Sequence, residues 1–461
     1  MIPIIEQAKK YSGKTAIHSS GKHYSYQQLV DSSEALASIL LNKRKDLKEE
    51  PVVFIVKAGF NYVVTQWAIW LAGGIAVPVL PTAPYETVQY VLNDTKASII
   101  VVDSQLKDII KSVKHNYKLK IHELNDEKVL INNRTFKEPD IDSNRMAMIL
   151  YTSGTTSQPK GVVTTHANIN AQITTLINAW EWRERDYILC VLPLNHIHGI
   201  INVVCCALWS GACCEFLPKF DAQKVFEIFA EGRLTLFMAV PTIYYKLITQ
   251  WEEIPSAEKF ILQDRMERMR LMVCGSAALP VSILNKWRKI SGHTLLERYG
   301  MTEIGMALSN PLKGRRFPGY VGRPLPKMQV RIADENNKML PIGVSGEIQV
   351  KGPSVFLKYW NRDKETKESF TNEGWFKTGD IGIIENSKFK ILGRNSIDII
   401  KSGAYKISAL EIEDMLINHR KVKECSVIGI PDEEWGEIVC AVIVKKDKKE
   451  QVDFKRWLRD K

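Results

Sequence analysis

Short, uninterrupted apolar runs recur along most of this chain, each separated from the next by a stretch of helical character. Val52–Val56 is a continuous run of β-branched and aromatic residues, Tyr62–Leu71 reads as a helix, and Ile75–Val79 reads as a second strand. Ile99–Val102 and Met146–Tyr151 repeat the strand pattern. A strand with one wet face alternates apolar and polar residues, whereas a strand that is apolar throughout must be covered on both faces. Alternation of such strands with helices therefore predicts an α/β architecture built on a parallel sheet. At 461 residues the chain exceeds one compact core, so at least two domains are expected. The polar, Asn-rich segment Lys107–Ser143 reads as a surface connection.

That connection and the Met146–Tyr151 strand lead into Tyr151-Thr-Ser-Gly-Thr-Thr-Ser-Gln-Pro-Lys-Gly161. The stretch is expected to run from strand through loop to a helix over Asn168–Asn178. Gly, Ser and Thr gathered behind a strand bring backbone N–H groups and hydroxyls around phosphate oxygens. Gly154 permits a turn that a Cβ would obstruct, Thr152, Ser153, Thr155 and Thr156 offer hydroxyls, and Lys160 supplies positive charge. The Walker pattern ends Gly-Lys-Ser/Thr, and here Lys160 precedes Gly161, so this is a different phosphate loop. An exposed polar turn is the competing reading.

Composition narrows the field. The net charge of +11 is spread along the chain, and no basic module interleaved with aromatics is present, which argues against nucleic acid and is compatible with small anionic ligands. The eight cysteines include the adjacent pairs Cys205-Cys206 and Cys213-Cys214 but no Cys-x-x-Cys spacing; buried free thiols in a reducing compartment are expected rather than zinc. The apolar window Val63–Leu80 is broken by Gly73-Gly74 and Pro78, so no membrane span is expected. Met1-Ile-Pro-Ile-Ile-Glu6 shows neither a secretory nor a transit pattern, pointing to cytoplasm or an organellar matrix.

Three further segments carry chemistry. Tyr187–Gly199 is an apolar strand delivering His196 and His198, where a metal pair lacks an evident third ligand and packing competes with ligand contact for His198. Leu271–Pro280 places Gly275, Ser276 and Ala277 in a small-residue turn that lets a flat ring lie against backbone. His293–Gly305 contains Arg298-Tyr-Gly-Met-Thr-Glu303. Arg298 is costly to bury unless it meets a carboxylate, which its planar fork fits bidentately. That carboxylate belongs either to a ligand or to a structural partner such as Glu297.

The phosphate stretch and the Tyr-Gly-x-Thr-Glu motif at 299–303 resemble the adenylate-forming superfamily of acyl-CoA synthetases, luciferases and peptide-synthetase adenylation domains. The resemblance implies αβαβα layers and a β-rich subdomain over 1–393, and a partial α+β lid over 394–461. It implies a carboxylate joined to AMP with ATP and Mg²⁺, then transferred to coenzyme A. By the same resemblance Lys160, Thr302 and Glu303 are catalytic, Glu303 holding the metal. Thr152–Thr156, Gly275–Ala277, Tyr299, Gly300, Met301, Asp380 and Arg394 hold the nucleotide. Gly403 faces coenzyme A, and Ser396 and Asp398 form the hinge, Ser396 standing where the family has Asp or Lys. Ser157 stands where the family generally has Gly.

Leu295–Met306, with Phe237–Thr242 and Gly275–Pro280, resembles the malonyl-CoA synthetases within that superfamily. This implies a short dicarboxylate whose distal carboxylate meets Arg298, with His198, Ser276, Met238 and Met306 around it. A medium- or long-chain fatty-acid ligase and a nucleotide-binding pseudoenzyme are the alternatives. No segment at the carboxyl end fits the Gly-Lys element that the resemblance places there, so slow adenylation is expected.

Overall fold

The computed structural model describes residues 2–111, 119–125, 136–152, 158–403, 405–432, 434–447 and 452–459. Two large sheets form its body. The first has seven strands in the order Lys358–Tyr359, Lys160–Thr165, Met146–Thr152, Ile75–Pro78, Pro51–Ile55, Ile99–Asp103 and Lys120–Leu124. Its middle strands pair in parallel, in the register Val53↔Val77 and Val53↔Ile100. The second has nine strands, with a parallel centre built from Leu296–Met301, Leu271–Cys274, Leu236–Ala239, Tyr187–Cys190 and Cys213–Phe216.

Between the sheets lies the helix Phe60–Leu71, all twelve of whose residues are buried. This explains why its sequence is apolar all round, with no wet stripe. Trp70 Nε1 donates to Ala147 O in the first sheet at 2.7 Å, and Tyr62 Oη donates at 2.6 Å to Leu194 O, just upstream of His198. The helix therefore fixes the two sheets to each other through its own side chains. Val88, Val91 and Leu92 of the helix Tyr85–Thr95 cover the opposite face of the first sheet at Val53, Ile55 and Val77. The helices Pro241–Glu253 and Val281–Ser291 meet over the second sheet, where Tyr244 and Trp287 have ring centroids 5.1 Å apart and Tyr244 Oη donates to Val273 O. The result is the layered α/β arrangement expected.

A four-stranded antiparallel sheet follows, Gln329–Ala333, Gly346–Lys351, Phe376–Glu385 and Lys388–Arg394, and then a small sheet of Tyr405–Ser408, Ile399–Ser402, Gly436–Lys445 and Val422–Asp432 packed on the helix Ala409–Ile417. Among the described residues no helix is long and apolar enough to cross a membrane.

One expectation is corrected. Lys107–Ser143 is more than a surface connection, because Lys120–Leu124 joins the first sheet as its edge strand, parallel to Ile99–Asp103. The phosphate stretch is followed first by a strand and then by the helix expected over 168–178. Lys160–Thr165 is a strand antiparallel to Met146–Thr152, and the helix begins only at His166, its end closed by a capping box between Thr165 and Asn168. Val162, Val163, Thr164 and Thr165 are β-branched and suit a buried strand.

Candidate active site

Ser153, Gly154, Thr155 and Thr156 lie outside the described residues, as does Ser157. The stems of their loop are described. Thr152 pairs with Lys160 across the hairpin, and Tyr90 Oη donates to Pro159 O at 2.8 Å. Lys160 Nζ stands over the Tyr359 ring, 5.3 Å from its centroid. Tyr359 Oη in turn donates at 2.9 Å to Glu303 Oε1. Burial raises the Glu303 carboxyl above its ordinary range. Thr302 occupies the turn between the antiparallel strands Leu296–Met301 and Gly305–Ser309, partly open to solvent. Gly300 tolerates no side chain there, since a Cβ would run into the Gly305 carbonyl. Tyr359 had no place in the sequence reading. The signal available was an aromatic pair, Tyr359-Trp360, closing a short apolar run after Gly352-Pro353.

The second cluster joins the nucleotide candidates. Tyr299 Oη donates at 2.6 Å to Asp380 Oδ2, and Arg394 Nε donates at 3.0 Å to Asp380 Oδ1, Asp380 and Arg394 being cross-strand partners. Burial lifts the Asp380 carboxyl and Arg394 opposes the shift. Arg394 N donates to Asp398 Oδ2 at 2.8 Å, so Asp398 is fastened to the nucleotide side, while Ser396 is exposed. Met301 is partly exposed in the same strand.

The third cluster is the most informative. Arg298 is 3% exposed and stacks its guanidinium on Gly275, where an added methyl would stand 2.6 Å from Arg298 Cζ. Arg298 Nη2 donates to Ser276 Oγ at 3.1 Å, and the same hydroxyl lies 3.3 Å from His198 Nδ1. Ser276 is itself exposed and Ala277 beside it likewise, so the cluster reaches solvent along this turn. Arg298 Nε and His198 Nε2 are buried polar atoms without a hydrogen-bond partner among the described residues. Burial, reinforced by Arg298 and His196, holds the His198 pKa well below its usual value, so the ring is neutral. Burial draws Arg298 down to about 10, which leaves it a cation at neutral pH.

Glu297 is not the partner of Arg298. Glu297 Oε1 accepts from Gly319 N at 3.1 Å, and no ion pair involving Arg298 occurs among the described residues. Burial pushes the Glu297 carboxyl up to about 8 from an ordinary 4.5. The native protein thus retains a proton that the unfolded chain releases, and this group's contribution to stability falls as pH rises from about 4.5 towards 8. Glu297→Gln is expected to flatten that decline, read as melting temperature at pH about 5 and about 8. An equal decline in both proteins would show that Glu297 does not titrate in this range.

The remaining candidates stand apart. Met238 is wholly buried in the core, paired with Val273, and Met306 is 2% exposed with its methyl against Gly300. Gly403 lies in the small sheet, where its N–H donates to Trp435 O at 2.7 Å. The helix Ala409–Ile417 of the small sheet meets the helix Val281–Ser291, whose first N–H donates to Asp414 Oδ1 at 3.3 Å.

The AMP-binding enzyme family profile matches residues 4–360, and the profile of the AMP-binding enzyme C-terminal domain matches 411–461. The chain belongs to the AMP-binding enzyme family. The enzyme is 41% identical to the mitochondrial malonate–CoA ligase of Mus musculus, over 99% of this chain and 85% of that protein. It is 36% identical to the malonate–CoA ligase of Arabidopsis thaliana, over 99% and 82%. Among solved structures, ATP-bound MatB from Rhodopseudomonas palustris superposes with a TM-score of 0.89 at 32% identity, covering 98% of this chain and 90% of that one.

Magnesium is implied by the family. Among the described residues no group of three or more His, Cys, Asp or Glu side chains could cage a metal. Mg²⁺ at a phosphate site needs less, one or two carboxylates with the substrate phosphates and water completing its shell. A single carboxylate, Glu303, held by the Tyr359 hydroxyl, fits that requirement.

Proposed function

We propose that this enzyme is an AMP-forming acid–CoA ligase acting on malonate or a close dicarboxylate. The observation that carries the substrate is Arg298. It is a buried guanidinium with no acidic partner among the described residues, its Nε unsatisfied, next to a neutral His198 and the Ser276 hydroxyl. A buried cation left without a counter-charge is costly, and a ligand carboxylate removes that cost. Arg298 directly precedes Tyr299, so a dicarboxylate with one end on Arg298 would hold its other end beside the nucleotide. The names of the Mus musculus and Arabidopsis thaliana relatives favour the same acid.

The substrate carboxylate itself attacks the α-phosphorus of ATP and pyrophosphate leaves, so no protein nucleophile is required. Lys160 and the Thr302 hydroxyl would meet the charge that builds on the phosphoryl oxygens, while Tyr299, Asp380 and Arg394 hold the adenosine. Mg²⁺ on Glu303, when bound, supplies charge neutralisation at the phosphates. The thiol of coenzyme A then attacks the acyl carbonyl, AMP leaves, and Gly403 would admit the pantetheine arm where a side chain would crowd Trp435. We place the boundary of the lid after residue 393, five positions before its first strand, Ile399–Ser402. The mitochondrial designation of the Mus musculus relative favours an organellar matrix over cytoplasm.

Pyrophosphate exchange with malonate, methylmalonate, acetate and octanoate tests the reading. Exchange should be fastest with malonate or methylmalonate. Preference for octanoate would return the fatty-acid ligase reading to first place.

A further inference from the structure

Tyr359 stands between two groups that must act together. On one side its hydroxyl donates to Glu303 Oε1 at 2.9 Å; on the other its ring lies under Lys160 Nζ, 5.3 Å from the centroid. Its backbone is fastened in the same two directions. Phe356 N donates to the Glu303 carbonyl at 2.7 Å, and Trp360 N donates to the Gly161 carbonyl at 2.7 Å. Between them Tyr359 pairs with Val162, in the strand that begins at Lys160. The ring packs edge-on against Phe356, with centroids 4.8 Å apart, and the Tyr359 N–H donates to Thr366 Oγ1 at 3.0 Å. The residue is buried, 7% exposed.

Lys160 and Glu303 meet the same side chain at different places, the lysine at the ring and the carboxylate at the hydroxyl. Among the described residues no ion pair joins Lys160 to Glu303. The aromatic ring takes the cation and the phenol hydroxyl takes the anion, leaving the lysine charge available for phosphate oxygens.

We propose that Tyr359 is a positioning residue that keeps Lys160 and Glu303 apart, its hydroxyl orienting the carboxylate for the metal and its ring orienting the lysine for ATP. The proposal rests on the assignment of Glu303 to Mg²⁺ made above, and it divides Tyr359 into two separable halves.

The test is calorimetric titration of ATP into the whole protein at a series of Mg²⁺ concentrations, and in EDTA. Tyr359→Phe removes only the hydroxyl. It should raise the Mg²⁺ concentration for half-maximal enhancement of ATP binding by about tenfold, with Mg²⁺-free affinity unchanged. Tyr359→Leu removes the ring as well and should also weaken Mg²⁺-free binding several-fold, by freeing Lys160. Glu303→Gln should abolish the Mg²⁺ dependence. If Glu303→Gln leaves that dependence intact, the metal assignment and the proposal both fall. If Glu303→Gln abolishes it while Tyr359→Phe does not shift it, the metal assignment stands and the role of Tyr359 is refuted. An equal loss for Tyr359→Phe with and without Mg²⁺ would reduce Tyr359 to packing and overturn the proposal.

Discussion

Arg298→Met is expected to lower malonate activation by roughly 30- to several-thousand-fold, the range that follows from about 2–5 kcal/mol for truncating one partner of a buried, hydrogen-bonded charge pair. The wild-type guanidinium already bears the cost of burial: its pKa is drawn down and, among the described residues, its Nε has no partner and its side-chain hydrogen bond is to the Ser276 hydroxyl. A dicarboxylate compensates that cost. After the substitution the second carboxylate of malonate enters a site whose other groups are a neutral imidazole and a hydroxyl, neither of which balances a full charge. Butyrate brings no second charge and loses nothing, so its rate relative to malonate should rise. ATP binding in the absence of acid should change little, because Tyr299, Asp380 and Arg394 are untouched. The measurement is kcat/KM for both acids together with ATP affinity. An unaltered malonate-to-butyrate ratio would falsify the dicarboxylate reading, and a parallel collapse of ATP affinity would mark Arg298 as a structural residue.

Lys160→Ala is expected to weaken ATP binding by roughly 10- to 150-fold, corresponding to about 1.5–3 kcal/mol for one charge-assisted contact. Lys160 stands at the base of the loop, fixed by its strand pairing with Thr152, and its ammonium rests on Tyr359 with no carboxylate partner among the described residues. The charge is therefore available to a phosphate. Because its stabilising contact is with an aromatic face at a partly exposed position, its removal should leave the melting temperature nearly unchanged. Calorimetry showing unaltered ATP affinity would remove the loop stem from the nucleotide site. Unaltered affinity with a large fall in melting temperature would make the lysine structural.

Much of this protein is legible in one dimension, for a physical reason. Val52–Val56 and Ile75–Val79 are apolar throughout because both faces of their sheet are covered, and Phe60–Leu71 is apolar all round because it lies between two sheets. What a segment must bury is written in that segment, so strand, helix and layer follow from local pattern. The motif residues at 299–303 were likewise readable, since their types and spacing are local. Lys120–Leu124 was not: only Leu124 of its five residues is buried, and an edge strand is recognised by the neighbour it pairs with rather than by its own apolarity. The strand Lys160–Thr165 was not legible for a similar reason, because it forms by pairing with Met146–Thr152 and with Lys358–Tyr359.

The active-site chemistry belongs wholly to the tertiary level. Arg298 could be judged expensive from sequence, but not whether Glu297 or a ligand would answer it. That Glu297 is engaged elsewhere was decided by Gly319, whose N–H donates to its carboxylate, and the parallel pairing of Leu271–Cys274 with Leu296–Met301 lays Gly275 and Ser276 against the guanidinium. His198 reaches the same hydroxyl through a strand two places away in the sheet. Tyr359 comes to Glu303 and Lys160 only because a two-residue strand docks on the sheet edge some 200 positions downstream of the lysine. Local sequence states the cost of each buried charge; strand order, set by hydrogen bonding between distant segments, decides which groups come close enough to balance it.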